Sequence, residues 1–253
     1  MGVRCQNFSI SKVEPDPAHS EIFSPSKFIE LAEKGECEGV SMSFSEPTTF
    51  FEFCIDVFKL AKKRRLYTTV ITNGYFTPEA LDMFLAAGTD AFNIDIKGDK
   101  EAVRKYCNAD VEFVWQNAIE ARKKSWVEIT TLVIPGVNDD EACLRGIARR
   151  IHDELGDDVP WHLSRYYPAY KFTVSPTPIE TLVKAREIGI EEGLNFVYIG
   201  NVPGHEFENT YCPSCKELLI QRYIFDIINY KITEDKKCPK CGEVIPIVGK
   251  YVV

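Results

Sequence analysis

The sequence predicts an α/β protein in which helices cover a parallel sheet, followed by a small cysteine-rich module. From about residue 25 to residue 200, segments with helical apolar periodicity alternate with short segments rich in β-branched and aromatic residues. This alternation is typical of a parallel sheet, either doubly wound or closed as a barrel. Beyond Gly200 the alternation stops and closely spaced pairs of cysteines take its place.

Each predicted element rests on its local pattern. The amphipathic segments predict helices over residues 26–34, 49–64, 78–87, 111–123, 139–155 and 178–192. The β-rich segments predict strands over residues 39–44, 67–72, 91–96, 127–134, 161–164 and 195–199. Pro78 and Pro178 occupy first-turn positions, and the threonine before each is a candidate helix cap.

Composition excludes several classes of protein. The chain has 253 residues, of which 45% are hydrophobic and 27% charged, as expected for a globular protein. Its net charge of -8 argues against a nucleic-acid partner, because phosphate binding needs a basic face. No apolar run is long enough for a membrane span, and no secretory signal is visible. We therefore predict a cytoplasmic protein without a membrane partner.

The tail predicts a metal site. Two CxxC pairs supply four cysteines, Cys212, Cys215, Cys238 and Cys241. Four thiolates form a closed tetrahedral site suited to structural zinc, with a rubredoxin-type iron site as the main alternative. Between the pairs, residues 218–230 predict a hairpin packed on the barrel. The spacing of four further cysteines fits no metal site and predicts small core residues: Cys37, Cys54, Cys107 and Cys143.

Polar side chains follow most of the predicted strands. Glu46 follows the first strand, Asn73 the second, and Asp95 and Lys97 accompany the end of the third. Residues 135–138 follow the fourth strand, and two further candidates, His162 and Arg165, lie at the fifth. Any one of them can be explained as a loop cap or turn former. Because the carboxyl ends of barrel strands converge on one face, the whole set indicates a ligand site.

Several motifs identify a family that the chain resembles. They are Cys-Gln-Asn (5–7), Ser-Glu-Pro-Thr (45–48), Thr-Asn-Gly (72–74), Asp-Ile-Lys (95–97), Val-Ile-Pro-Gly-Val-Asn-Asp (133–139), His-Leu-Ser-Arg-Tyr-Tyr-Pro (162–168) and Gly-Asn-Val-Pro-Gly (200–204). With the cysteine tail, they resemble the radical S-adenosylmethionine (SAM) superfamily, in the branch related to pyruvate formate-lyase activating enzymes. The group with the greatest resemblance is the AmmeMemoRadiSam-system radical SAM enzymes.

The resemblance implies a partial (β/α) barrel with parallel strands over residues 1–200, a connector over 201–211 and a zinc-ribbon-like module over 212–253. In that superfamily a CxxxCxxC loop after the first strand holds a [4Fe–4S] cluster. Cys5 matches the last of these cysteines, whereas Gly2 stands where the second is expected. The core is therefore expected to lack its first strand and most of the cluster motif, through a mis-assigned start or a fragmentary gene. A naturally cluster-free derivative is the alternative.

The resemblance also implies roles for the strand-end residues in binding SAM. Glu46 is expected to accept hydrogen bonds from the methionyl ammonium, and Lys97 to pair with the carboxylate. Asp95 is expected to bind the ribose hydroxyls or the ammonium. Asn73 is expected to orient the ribose or the methionine through its amide.

Four later residues complete the expected site. Val133 and Ile134 resemble the apolar strand that backs the adenine. His162 and Arg165 lie where contacts to the substrate or to a carboxylate are expected. The cysteines of the tail have no part in this chemistry, because a closed four-ligand site offers no open position for substrate.

The function implied by the resemblance is that of an enzyme. It would cleave SAM reductively with a [4Fe–4S] cluster and abstract hydrogen from a protein, peptide or small molecule, with electrons from a donor such as ferredoxin or flavodoxin. The truncation predicts impaired activity for this chain. One alternative is a non-catalytic protein with structural zinc that binds SAM or a partner. Another is a nucleic-acid-binding ribbon, against which the acidic composition argues.

Overall fold

The computed structural model of the chain describes residues 14, 16, 18, 21–44 and 46–249. Within this part of the chain, six strands form one sheet in chain order. They are β1 (Gly39–Met42), β2 (Tyr67–Thr72), β3 (Ala91–Asp95), β4 (Trp126–Val133), β5 (Trp161–Arg165) and β6 (Val197–Gly200). The pairs β1–β2, β2–β3, β4–β5 and β5–β6 are all parallel.

Helices separate the strands, as parallel pairing requires. They are α1 (Pro25–Lys34), α2 (Phe51–Lys63), α3 (Pro78–Ala87), α4 (Lys100–Cys107), α5 (Val111–Arg122), α6 (Glu141–Arg150) and α7 (Ile179–Glu191). A 3-10 turn at Pro47–Phe50 precedes α2, and a π-helical turn at Ile151–Leu155 continues α6.

Side-chain hydroxyls and carboxylates begin several of these helices. Ser24 caps α1, Thr77 caps α3 and Asp140 caps α6, each by accepting a hydrogen bond from a backbone N–H three residues later. The structure thus confirms the cap predicted before Pro78. The cap predicted before Pro178 is wrong, because α7 begins without a side-chain cap.

The strands alternate between a covered face and a more open one. In β2 the residues Thr68, Val70 and Thr72 are buried, whereas their neighbours along the strand are partly or fully exposed. The same alternation runs through all eight residues of β4. Helices cover the buried face, as the edge-to-face contact of Phe84 in α3 with Phe92 in β3 shows, at 6.2 Å between ring centroids. The other face is therefore accessible to a ligand.

The chain divides into two compact units. The first comprises Met1–Ile96, Val103–Glu128 and Pro168–Thr173. The second comprises Lys97–Ala102, Ile129–Tyr167 and Val174–Val253. The cysteine-rich tail belongs to the second unit, where a three-stranded antiparallel sheet consists of β7 (Thr210–Tyr211), β8 (Leu218–Tyr223) and β9 (Asp226–Tyr230).

The observed architecture confirms the predicted fold class. Each of the six predicted strands and six predicted helices is present, with shifts of a few residues at the ends. The hairpin expected at 218–230 is present as β8 and β9, but the packing expected for it is wrong for β9, which is exposed at four of its five residues. Helix α4 was not predicted, because it has only eight residues, half of them charged, and so short a segment shows no clear helical periodicity. Cys54 and Cys143 are buried as predicted, but Cys37 and Cys107 are exposed, so the core role expected for those two is wrong.

No helix within residues 21–44 and 46–249 combines the length and apolar character that a bilayer crossing needs.

Asn138 joins the end of β4 to the loop that follows β3. Its side-chain oxygen accepts a hydrogen bond from Ile134 N at 2.7 Å. Its amide nitrogen donates to Leu132 O at 2.9 Å and to Lys97 O at 3.0 Å. Asn138 is almost completely buried, and its three hydrogen bonds are part-buried, so a solvent molecule replaces them only in part when its side chain is removed.

We predict that Asn138→Ala lowers the free energy of unfolding by about 2–4 kcal/mol, because it leaves three partly buried backbone groups without their side-chain partner. Urea unfolding followed by circular dichroism measures the change. Asn195→Ala is the matched control, since it removes one exposed hydrogen bond to Asp157. A loss of stability no larger than that of the control would contradict the role of Asn138.

Candidate functional site

Glu46 is held in place by donors from its own unit. Its Oε1 accepts a hydrogen bond from the Thr72 hydroxyl at 2.6 Å, and its Oε2 accepts one from Asn73 N at 2.8 Å. The hydroxyl of Thr48 lies 3.3 Å from Oε1. The carboxylate therefore connects the segment after β1 to the end of β2. Among the described residues, no Lys or Arg forms an ion pair with it.

The turn after β2 is fixed from both sides. Thr72 accepts a hydrogen bond from Gly74 N at 3.0 Å, and Asn117 in α5 donates to Gly74 O and Phe76 O at 2.9 and 2.8 Å. Gly74 has φ +67°, and a Cβ at this position would lie 2.7 Å from Val114 Cγ1. Only glycine fits this turn without displacing neighbouring side chains.

Asn73 acts as a turn former in this structure. Its side-chain oxygen accepts a hydrogen bond from Tyr75 N at 2.8 Å, the pattern of an Asx turn. This contact matches the simpler explanation of the sequence pattern. It occupies the carbonyl oxygen of the side chain and orients its amide group.

Asp95 and Lys97 lie around the end of β3. Asp95, in the first unit, is the last residue of the strand and is half-buried on its more open face. Lys97, in the second unit, has an exposed side chain, and its backbone oxygen accepts the hydrogen bond from Asn138.

In the second unit, Thr177 connects the ends of β4 and β5. Its hydroxyl donates to Val133 O at 2.6 Å and accepts a hydrogen bond from Tyr166 N at 3.1 Å. Its backbone oxygen accepts a hydrogen bond from Arg165 Nε at 2.8 Å. Val133 and Arg165 are also direct partners across the two strands, so the structure brings these two predicted residues together.

The side chains of Val133, Ile134 and Arg165 differ in their exposure to solvent. The Val133 side chain is completely buried, whereas Ile134 is only partly buried. The Arg165 guanidinium donates to the Tyr167 hydroxyl at 3.1 Å and lies 4.9 Å from the centroid of that ring. Ile134 and Arg165 are therefore the accessible members of this group.

His162 lies near the start of β5, three residues before Arg165. Its ring stacks on Tyr198 of β6, with 5.2 Å between centroids and an interplanar angle of 20°. The Tyr198 hydroxyl is 3.0 Å from Thr210 Oγ1, in β7. His162 is thus linked by its contacts to the start of the cysteine-rich tail.

Two residues that sequence reasoning missed, Thr72 and Thr177, organise these groups. Thr72 lies in the quoted Thr-Asn-Gly motif, but the motif itself did not identify its hydroxyl as the partner of Glu46. Thr177 was predicted to be a helix cap, whereas its hydroxyl bonds a strand 44 residues earlier. The only sequence feature that points to Thr177 is that it is a threonine followed by a proline. Cys5, expected to bind the cluster, lies outside the described residues.

The four tail cysteines form a compact group. The sulfur atoms all lie within 4.8 Å of one another, with Cys212–Cys241 at 3.5 Å and Cys215–Cys238 at 3.6 Å. A tetrahedral zinc ion with Zn–S bonds of about 2.3 Å holds its sulfurs about 3.8 Å apart. The group therefore fits one tetrahedral ion. A [4Fe–4S] cubane does not fit, because each thiolate would bind a different iron and the sulfurs would lie farther apart.

Backbone hydrogen bonds prepare the cysteine group for a metal. Burial raises the pKa of the Cys212 thiol. Burial also acts to raise the pKa of Cys238, but hydrogen bonds from the backbone of Cys241 and Lys240, together with those from the Cys215 and Cys241 thiols, lower this pKa to about 7. A thiolate is therefore accessible near neutral pH, and metal binding releases the remaining protons.

The cysteine group shares its core with the α/β part of its unit. Phe196, just before β6, packs with Leu219, Ile220 and Ile245 around the cysteines. Arg186 in α7 donates to Val197 O at 3.0 Å and lies over the Phe207 ring at 3.9 Å. Burial lowers the pKa of this arginine. These contacts cover part of the edge of β6, which protects an edge strand from unwanted pairing.

We expect the purified protein to hold about one zinc ion per chain, because its four sulfurs have the spacing of a tetrahedral thiolate site. Cys238→Ser should lose the metal and unfold the tail, and Cys107→Ser, at an exposed cysteine away from the group, should keep it. Metal analysis with visible absorption measures both. Stoichiometric iron with rubredoxin-type absorption would contradict the assignment to zinc.

Comparison with known proteins identifies the family. The profile of the radical SAM superfamily matches residues 5–143. An uncharacterized protein of Methanocaldococcus jannaschii is 46% identical over 250 residues, which cover 97% of this chain and 74% of that protein. The (2S)-3-sulfopropanediol sulfolyase activating enzyme of Bilophila wadsworthia is 32% identical over 117 residues, covering 45% of this chain and 38% of that enzyme.

A solved structure has a similar fold. A domain of a pyruvate-formate lyase-activating enzyme from Bacteroides vulgatus superposes with a TM-score of 0.56 at 22% identity, covering 64% of this chain and 99% of that domain. The six-stranded parallel sheet is thus of the radical SAM type. From its sequence and its fold, the chain belongs to the radical SAM superfamily and is related to the activating enzymes within it.

Proposed function

We propose that the protein is an activating-enzyme-like radical enzyme that binds SAM, cleaves it reductively and abstracts hydrogen from a substrate. Membership of the superfamily supports the use of SAM and an iron–sulfur cluster. The similarity to an activating enzyme over 117 residues supports a protein or peptide as the hydrogen donor, with a small molecule as the alternative. Ferredoxin or flavodoxin would supply the electron.

The observation that carries this proposal is the state of Glu46. Its carboxylate is fixed by the Thr72 hydroxyl and by Asn73 N, and among the described residues no side-chain cation balances its charge. A fixed and unbalanced carboxylate favours a cationic ligand, and it needs no reorganisation when that ligand arrives. The ammonium group of SAM is such a cation. We therefore propose that Glu46 accepts its hydrogen bonds.

The other residues receive roles according to their position and exposure. In the first unit, Asn73 orients the ribose or the methionyl group through its amide, and Asp95 accepts hydrogen bonds from the ribose hydroxyls or from the ammonium. In the second unit, the exposed Lys97 pairs with the SAM carboxylate.

Four residues of the second unit have proposed roles toward adenine or the substrate. Ile134 contacts the adenine, with Val133 supporting it from the core. Arg165, whose guanidinium is held by Thr177 O and by the Tyr167 hydroxyl, binds an acidic group of the substrate or of SAM. His162 contacts the substrate from the more open face of the sheet.

The cluster lies with residues outside the described part of the chain. Cys5 is its proposed ligand here, and among the described cysteines no group other than the tail brings three thiols together. When bound and reduced, the cluster would supply the one electron that breaks the bond between the sulfonium sulfur and C5′ of SAM, which gives methionine and a 5′-deoxyadenosyl radical. The part of the described residues is to bind and orient SAM and to limit access of water.

Release of 5′-deoxyadenosine tests the proposed function. The protein is produced with any in-frame codons that precede Met1 in its gene, reconstituted with iron and sulfide without oxygen, and mixed with SAM and dithionite. We expect 5′-deoxyadenosine, measured by mass spectrometry, in proportion to the cluster content. A sample with a full [4Fe–4S] complement that releases none would contradict the proposal. Zinc without iron in every preparation would favour the non-catalytic alternative.

Equilibrium binding of SAM to variants of the reconstituted protein tests the role of Glu46. Glu46→Gln should weaken SAM binding at least about tenfold, the loss expected for one charge-assisted hydrogen bond. Glu52→Gln makes the same chemical change at an exposed position of α2 and should leave binding unchanged. Thr72→Val keeps the carboxylate but removes its anchor, so its effect separates the charge of Glu46 from its position.

A further inference from the structure

The hairpin of the tail exposes a group of large apolar side chains that we call the apolar tip. Its members are Tyr223, Ile224, Phe225, Ile227 and Ile228. Phe225 is 97% exposed and Ile228 is 59% exposed. Single exposed apolar residues are common on protein surfaces, but five within six consecutive positions form a contiguous patch. Such a patch indicates an interaction surface.

The turn of the hairpin is built from unfavourable residues. Tyr223 pairs with Asp226, so Ile224 and Phe225 form a two-residue turn, and with a positive φ at the first of them only, glycine is the low-energy choice there. Ile224 has φ +58°, a left-handed conformation that strains a β-branched residue. Neither burial nor turn geometry within the described residues accounts for an isoleucine and a phenylalanine here. Contact with another molecule does account for them.

The strand after the turn is open to a partner. Strand β9 is at the edge of its sheet among the described residues, and nothing in its sequence protects this edge with a lysine or a proline. Gln221 pairs with Asn229 and Arg222 with Ile227, so Ile228 is the extra residue of a bulge and has no partner on β8. The bulge twists the edge, so a partner strand would pair over a short segment.

The tail has a smaller net charge than the rest of the chain. Residues 212–253 contain seven Lys or Arg and five Asp or Glu, a net charge of +2, whereas the remaining residues contain 23 and 33, a net charge of -10. Two copies therefore repel each other less through their tails than through their acidic parts.

The sequence of β9 is also complementary to itself. Asp226 begins the strand and Lys231 follows its end. If two copies of β9 lie antiparallel about a twofold axis, Asp226 of each faces Lys231 of the other, and Ile227 faces Tyr230. Opposite charges and an aromatic residue facing a β-branched one are favourable pairs across strands. Lys231 is already salt-bridged to Glu217 at 2.9 Å, which holds it beside the strand.

From these observations we infer that the apolar tip and the outer edge of β9 form a twofold contact between two copies of this chain. The inference goes beyond the proposed function and does not depend on SAM chemistry. The contact comprises residues 223–231 of each copy, fewer than the roughly 20–30 residues per partner of a standard stable interface, so the dimer is weak and depends on concentration.

Sedimentation velocity of the metal-loaded protein tests the contact. We expect a dissociation constant on the order of tens of micromolar. The wild type should therefore be monomeric at about 5 µM and dimeric at about 200 µM. Ile228→Lys should raise the dissociation constant at least tenfold. Met83→Lys, the same kind of change at an exposed residue of α3, should leave it unchanged. A wild type that stays monomeric at the higher concentration overturns the inference.

Two further variants separate docking from folding. Replacing the turn by Gly-Asn (Ile224→Gly with Phe225→Asn) should relieve the strain and raise the melting temperature, yet weaken the dimer at least tenfold. Asp226→Lys should weaken the dimer, and adding Lys231→Asp should restore it. A dimer that persists in the Gly-Asn variant overturns the inference. So does a monomeric wild type that co-sediments with phosphatidylcholine–phosphatidylglycerol vesicles, because the tip would then bind a bilayer.

Discussion

The end of a parallel strand leaves backbone N–H and C=O groups that the sheet no longer pairs, and this protein satisfies many of them with side chains. The Glu46 carboxylate accepts a hydrogen bond from the backbone after β2. Asn138 forms hydrogen bonds with two backbone groups at the end of β4 and one after β3. The Thr177 hydroxyl links the end of β4 to the segment after β5. An unpaired buried backbone group costs about as much as a lost hydrogen bond or more. The positions of the proposed ligand groups depend on these three contacts.

The three contacts also explain why polar residues at strand ends have two roles. Glu46 is an anchor for the turn at Asn73, and its charge remains available to a cation. Asn73 forms its own turn, and Lys97 contributes its backbone oxygen to Asn138 while its side chain is exposed. A structural role and a ligand-binding role are therefore compatible at one residue. For substitutions at these positions, the effect on ligand binding must be interpreted together with the measured effect on stability.

The sequence was sufficient to predict most of the fold, because long amphipathic helices and buried strands have strong periodicity. It failed at α4, which has only eight residues, half of them charged, and at Thr177, whose partner Val133 lies 44 residues away. Such long-range hydrogen bonds leave no local pattern. The cysteine spacing predicted the compact sulfur group, since two residues between ligands bring both sulfurs to one ion. The exposure of the apolar tip was not predictable, because an exposed apolar hairpin and a buried one have the same sequence pattern.

A crystal structure of the protein with bound SAM tests the central claim most directly, since it would show what the Glu46 carboxylate binds. The account predicts the methionyl ammonium within hydrogen-bond distance of Glu46, with the contacts to Thr72 and Asn73 retained. SAM bound with its ammonium away from Glu46, or a Glu46 that must leave Thr72 and Asn73 to reach it, would contradict the account.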